Sequence, residues 1–199
     1  LALPQPQKKL KDFPLMNSLH LDPQKKHEIF QKIIDTGQIS AKGHIGTHLD
    51  CYTDVPEKSE YSLSAYVADC TKGMPDAEFF ENLPDMQNKV LVLHTGNTEK
   101  NGYGTDNYFK AKTFLSPASL KTILAKAPLF IIIDSHGLGE SGKVHVTIDK
   151  TCEQSHCHVI ENADLSPLKG QKEIKVRIVT DTDMPSTGKP CKVYWENME

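Results

Sequence analysis

Two apolar runs of strand length, KVLVLHTG at 89–96 and PLFIIIDSHG at 128–137, bracket a helical pattern, and this spacing constrains the fold more than any other feature. The intervening SPASLKTILAKA offers Ser116 as a cap, Pro117 at the first helical position, and Leu120, Ile123 and Leu124 on one side. Strand, helix, strand at this separation predicts a βαβ unit with a right-handed crossover. The unbroken apolar stretch of the second run predicts a strand buried on both faces. Near the end, EIKVRIV and CKVYWEN alternate or nearly alternate and read as strands. Earlier, LDPQKKHEIFQKIIDTG reads as a helix with Asp22 as cap, Pro23 in the first turn and Gly37 at its end. Its residues Ile29, Phe30, Ile33 and Ile34 share one face, which predicts packing against something. The first 20 residues, rich in Pro and Lys, predict an arm or loop. The class is mixed α/β, with an N-terminal arm and helix over 1–39 and one compact domain over 40–199.

Composition removes several functions. A net charge of -3 over 199 residues, with the basic residues scattered, leaves no footprint for nucleic acid. No apolar run approaches the ~18 residues of a membrane-spanning helix, and LALPQPQKKLKDFP lacks the apolar core of a secretory signal. The five cysteines (Cys51, Cys70, Cys152, Cys157, Cys191) are odd in number and contain no CxxC pair. Free thiols in a cytoplasmic protein are the expectation, rather than a disulfide framework or a zinc knuckle.

Coordinating groups concentrate in GHIGTHLDCYTDVP, residues 43–56. A helix would put His44 and His48 on one face and Asp50 well round the cylinder. A strand would put His44, His48, Asp50 and Asp54 on one face, with Tyr52 between the last two. Fully extended, however, residues 44 and 48 lie roughly 13 Å apart, too far for two imidazoles on one ion at ~2.0 Å each. A bend at Gly46 is therefore predicted, where the missing Cβ makes it cheap. Two imidazoles and a carboxylate leave a coordination position for water, and mixed N and O donors suit Zn, Mn or Fe. The same residues could also be hydrogen-bonded polar groups on a strand edge.

HIGTHLDCYTD resembles the HxGTHxDxPxH motif of the cyclase-like metal-dependent hydrolases, which include bacterial kynurenine formamidase and isatin hydrolase. The likeness continues in order through VLVLHTG, NTEKNGYGTDNYF, FLSPASLKTILAKAPLFIIIDSHGLG, HVIENADLSPL and TGKPCKVYW, from about residue 40 to the end. It implies a swivelling β/β/α domain, usually homo-oligomeric, that hydrolyses a small amide, formamide or cyclic amide with one or two divalent ions, Zn or Mn. By this resemblance His44, His48 and Asp50 are the first metal ligands, and Glu161 is the glutamate of the second metal site. Asp54 stands at the motif's final histidine, Asp149 at the histidine twelve residues before the glutamate, Tyr52 at the motif proline, and Lys192 at a closing-strand arginine. Asp54, Asp149 and Glu161 thus join the expected ligands, with Asp54 or Glu161 taking the proton from the attacking water. Carboxylates in place of two imidazoles favour Mn or Mg over Zn and leave a family member that binds rather than turns over as the alternative. A shifted alignment would bring in His145, His156 or His158, and His94 stands where the family often has arginine.

The expected partner is a small molecule, with Tyr52, Tyr103, Tyr108 and Phe109 as candidate lining for an aromatic one. Cys51 points away from the ligands in a strand and reads as core. Asp134-Ser135-His136 reads as a strand-end turn rather than a catalytic triad, since a triad is defined by geometry and no G-x-S-x-G elbow is present.

Overall fold

Backbone hydrogen bonds join eight strands into one sheet among the residues that the computed structural model describes, 16–21, 30, 31, 35 and 37–198. In chain order these are β1 (Asn17–Ser18), β2 (His48–Asp50), β3 (Glu60–Asp69), β4 (Val90–His94), β5 (Phe130–Ile133), β6 (His158–Glu161), β7 (Glu173–Thr180) and β8 (Gly188–Asn197). The helices are α1 (Ile39–Gly43), α2 (Ala77–Glu81), α3 (Asn97–Asn101), α4 (Asp106–Lys110), α5 (Pro117–Ala125) and α6 (Lys143–Gln154). The sheet order is β1-β8-β2-β6-β5-β4-β3-β7, and β7 also pairs with β8, so seven strands close into a barrel. β3, β4, β5 and β6 run parallel to their neighbours in this series, while β2, β7 and β8 pair antiparallel.

The expected βαβ unit is β4–α5–β5. Ser116 accepts a hydrogen bond from the Ser119 N–H at 3.0 Å, and Pro117 opens the helix where its missing N–H costs nothing. Period-two alternation then sorts the two strands. Val90, Val92, Phe130 and Ile132 fill the barrel with Leu49, Ile160, Val176 and Val193. Leu91, Leu93, Ile131 and Ile133 face outward and are covered by Phe80, Leu120, Ile123 and Cys152. Burial on both faces is why the run FIII has no polar residue.

Residues 16–20, expected as part of an arm, instead add an edge strand. Asn17 and Ser18 pair with Trp195 and Tyr194, and Leu19 is buried in the barrel cluster. Phe30, Gln31 and Asp35 are helical. Residues 1–15, with the remainder of the expected arm, and most of the expected 22–37 helix lie outside the described residues. All five cysteines are free and buried, Cys51 within the barrel cluster. No helix among the described residues is long and apolar enough to cross a membrane.

Asp134, just past β5, ties the ends of the βαβ strands together. It accepts hydrogen bonds from the Thr95 N–H (2.8 Å), the Thr95 hydroxyl (2.7 Å) and the Gly96 N–H (2.7 Å). This is the strand-end turn read from the sequence. Asp134→Ala strands those buried donors, and the expected loss is about 3 kcal/mol, read from urea unfolding. An unchanged midpoint would show that water or neighbouring groups satisfy them.

Candidate metal centre

On β2, Leu49 enters the barrel, so His48 and Asp50 point the other way, toward α6. Glu161 at the end of β6 is the direct cross-strand partner of His48 and shares that face. His44 reaches the same place from the end of α1 through a turn in which Gly46 takes φ +75°, the bend the sequence required. From the opposite side α6 contributes His145 and Asp149, four residues apart and on one helix face.

These six side chains form two overlapping groups whose potential ligand atoms lie within 4.8 Å of one another: His44, His48 and Asp50, and Asp50, His145, Asp149 and Glu161. Asp50 belongs to both. Its Oδ1 is 3.1 Å from His44 Nδ1 and 3.5 Å from His48 Nε2, while its Oδ2 is 3.4 Å from His145 Nε2. His145 Nε2 also lies 3.2 Å from Asp149 and 3.7 Å from Glu161. Separations of 3.1 to 3.5 Å are those of neighbouring ligand atoms about one ion at roughly 2.0–2.2 Å from each.

The imidazoles are oriented for this task. The Gly46 carbonyl can only accept, so His48 Nδ1, 2.9 Å away, carries the hydrogen and Nε2 turns its lone pair inward. Thr187 holds His44 Nε2 at 3.0 Å, leaving Nδ1 for the centre. The two inward nitrogens stand only 3.2 Å apart, a contact that a shared cation or proton relieves. Gly137 completes the cradle. A Cβ there would come within 2.7 Å of His145 Cε1 and 3.0 Å of Glu161 Oε1, and its φ of +132° is itself a glycine conformation.

The carboxylates make the strongest case that the donor set fits a cation. Asp50, Asp149 and Glu161 are nearly fully buried, and among the described residues both oxygens of Asp50, both of Asp149 and Oε1 of Glu161 lack a hydrogen-bond partner. Burying that much unpaired charge costs several kcal/mol per group unless protons or a metal offset it. Protonation is distributed accordingly. Burial, then the Asp50 and Asp149 carboxylates, pushes Glu161 well above the usual range. Burial pushes Asp149 to about 7, with His145 opposing and Asp50 and Glu153 adding to the rise. Burial also works against Asp50, but His48 foremost, with His145 and His44, holds its carboxyl well below the usual range. For His48 and His145 burial is outweighed by the adjacent carboxylates, and both are raised.

Of the residues expected from the sequence, His44, His48, Asp50, Asp149 and Glu161 converge, and Asp54 does not. Its side chain is 45% exposed, one oxygen accepts the Val55 N–H, and the other is 4.0 Å from His158 Nε2. The strand whose alternation was to carry residue 54 inward ends at Asp50. Beyond it, Glu153 of α6 accepts the backbone N–H groups of Tyr52 (2.5 Å) and Thr53 (2.7 Å) and the Thr53 hydroxyl, turning the chain aside. His94 pairs with Glu99 at 2.9 Å and lines a separate cavity of about 650 Å³. His156 is exposed, and His158 is the histidine beside Asp54. His145 is the imidazole that joins the centre. Its four-residue spacing to Asp149 is the signal, visible once 143–154 is read as a helix, a reading that the β-branched KVHVTIDKTC discourages.

The aromatic candidates divide too. Tyr108 is core, its hydroxyl donating to Asn162 at 2.7 Å. The Tyr103 hydroxyl accepts the Gly46 N–H at 2.7 Å, and its ring stacks on Phe30. Phe109 is 43% exposed. Tyr52 is half-buried, and its phenol is pushed up by burial and then by Asp50, Asp149 and Glu161.

No protein-family model matches the chain, and no curated protein does. Solved structures do. A potential metal-dependent hydrolase with cyclase activity superposes with a TM-score of 0.62 at 14% identity over 78% of this chain and 80% of its own. An isatin hydrolase bound to the product analogue thioisatinate gives 0.61 at 14% identity, over 78% and 73%. Isatin hydrolase A from Labrenzia aggregata, bound to benzyl benzoate, gives 0.60 at 13% identity, over 79% and 74%. The fold is therefore the swivelling β/β/α fold of the cyclase-like proteins.

The raised carboxyl groups give the metal-free centre a definite pH dependence. Asp149 at about 7, with Glu161, His48 and His145 also raised, contributes stability that is complete below the unfolded values and lost as pH rises through the folded ones. Asp50, lowered, loses its contribution only in stronger acid. In chelator the melting temperature is expected to be lower at pH 8 than at pH 6, and saturating Mn or Zn is expected to reverse the order. Identical metal-free melting temperatures at the two pH values would show that the carboxylates are relieved by other means.

Proposed function

We propose that this chain is a cytoplasmic, homo-oligomeric metal-dependent hydrolase of a small amide, formamide or cyclic amide, aromatic ones included. The observation that carries this reading is the six-residue donor set, with five buried carboxylate oxygens lacking partners around inward-facing imidazole nitrogens. His44, His48 and Asp50 would hold one Zn or Mn ion, and Asp50, His145, Asp149 and Glu161 a second. A bound divalent ion supplies Lewis acidity toward a carbonyl and lowers the pKa of water. Glu161 Oε1, left without a hydrogen bond and in an environment that raises its proton affinity, is the acceptor for the proton of the attacking water. Asp54, 45% exposed on its side chain and outside both groups, is not assigned that role. The likeness in fold to an isatin hydrolase supports a cyclic amide within the substrate class.

A second reading has one observation behind it. Among the described residues, every imidazole that converges here is placed to hold metal, and none is left over as a proton shuttle. A protein that binds metal or ligand without turnover would look the same. Metal analysis and kinetics separate the two. With Mn or Zn bound, the expected result is turnover of an N-formyl aromatic amine that falls by about 10³-fold or more in His48→Ala, together with loss of bound metal. Metal bound at full occupancy without turnover of formyl or cyclic amides would favour the binding protein. Purified protein that neither contains nor takes up a divalent metal would remove both.

A further inference from the structure

The sheet leaves a gap beside the last residues of β3. β7 begins at Glu173 opposite Tyr66, and the Val67 N–H still meets the Lys172 carbonyl at 2.8 Å. Beyond that point, among the described residues, Ala68 and Asp69 pair with β4 alone, as partners of Leu93 and His94. These strand ends and the loop over 168–172 line one cavity of about 650 Å³, an ordinary volume for a small-molecule site. It lies at the carboxyl ends of parallel strands, where open α/β sheets bind ligands, and it shares no residue with the metal centre.

The two sides of this cavity carry opposite charge. On the strand side His94 is buried, and its Nε2 gives its hydrogen to Glu99 Oε2 at 2.9 Å. On the neutral ring Nδ1 is then a lone pair, and it makes no hydrogen bond among the described residues. Asp69 Oδ1 accepts the Thr71 N–H (2.9 Å) and hydroxyl (2.6 Å), while its Oδ2 accepts nothing among the described residues. Lys100 also lines this side, but its ammonium is turned to the backbone and donates to the Thr71 carbonyl at 2.7 Å. On the loop side Lys169 and Lys172 are exposed and form no ion pair among the described residues. The cavity also has an apolar wall that includes Tyr66 and Phe79, and Phe79 is 36% exposed. An aromatic ring left bare at a cavity wall is a surface that another ring covers well.

A ligand that satisfies both sides carries both charges. β4, which ends in His94, and the chain that enters β7 at Lys172 flank β3 on either side, about 10 Å apart at a strand spacing of about 4.8 Å. Flexible lysine stems cover most of that span, so the two charges of the ligand sit close together, as they do on one α-carbon. We propose that this cavity is a second ligand site, for an aromatic α-amino acid. Asp69, Glu99 and the Nδ1 of His94 receive its ammonium group, Lys169 and Lys172 meet its carboxylate, and its ring lies against Phe79 and Tyr66. The site is independent of the hydrolase reading, and either can fail alone.

Calorimetric titration of L-phenylalanine into the full chain tests this. One saturable site per chain is expected, with the same Kd within about twofold in metal-loaded and in chelator-treated protein. Phenethylamine, which lacks the carboxylate, and 3-phenylpropionate, which lacks the ammonium group, should each bind at least about tenfold more weakly. Substitutions at exposed positions then assign the two ends. Asp69→Asn should weaken L-phenylalanine about tenfold and leave 3-phenylpropionate unchanged. Lys169→Met combined with Lys172→Met should weaken L-phenylalanine by a similar factor and leave phenethylamine unchanged. Melting temperature and bound metal should not move in either variant. No heat of binding up to about 10 mM L-phenylalanine would overturn the inference. Binding lost in chelator or in His48→Ala would overturn it too, since the ligand would then occupy the metal centre. Equal losses for all three ligands, or wild-type affinity for L-phenylalanine in both variants, would overturn the assignment of the two ends.

Discussion

Three buried carboxylates facing one another are the constraint on which the rest of this structure turns. Asp50, Asp149 and Glu161 come from two neighbouring strands and a helix, and among the described residues three imidazoles share their site. Such an arrangement is costly in isolation and favourable around positive charge. The surrounding architecture serves to hold it: the antiparallel pairing of β2 with β6 puts His48 beside Glu161, the Gly46 turn returns His44, and Gly137 lets the chain after β5 pass close to His145. A fold that tolerates this much electrostatic tension at one end needs a rigid base, and the doubly buried strands β4 and β5 provide it.

Where the sequence was informative, the reason was a strong local pattern. Continuous apolar runs marked β4 and β5, Ser116 and Pro117 marked α5, and alternation marked β7 and β8. His44, His48 and Asp50 were legible because they are close in the chain and only one bend satisfies the reach of two imidazoles. Asp149 and Glu161 came from the resemblance rather than from any local signal. Asp54 was misplaced by extending an alternation past the end of a three-residue strand, which no periodicity argument could see, because a side chain 100 residues away sets the break. His145 stayed among three alternatives because the polar, β-branched stretch around it does not announce a helix.

The comparisons sharpen what is shared and what is particular. At 13–14% identity, 78–79% of the chain superposes on proteins described as metal-dependent or isatin hydrolases. Against the motif that the sequence resembles, this chain carries Tyr52, Asp54 and Asp149. The scaffold sets where groups can converge; the identity of each group sets the protonation chemistry available once they do.

β8 has a mechanical meaning. Its first three residues pair with β2, the strand that carries His48 and Asp50, while residues 191–197 form the pairing with β7 that closes the barrel. One strand is therefore both the seam of the cylinder and the backing of the ligands, and the loop leading into it supplies Thr187 to His44. Fraying along that seam cannot proceed far without loosening the ligand strand. The site and the closure of the barrel form one cooperative unit, so slow amide exchange in β8 would report on occupancy at a distance from any ligand.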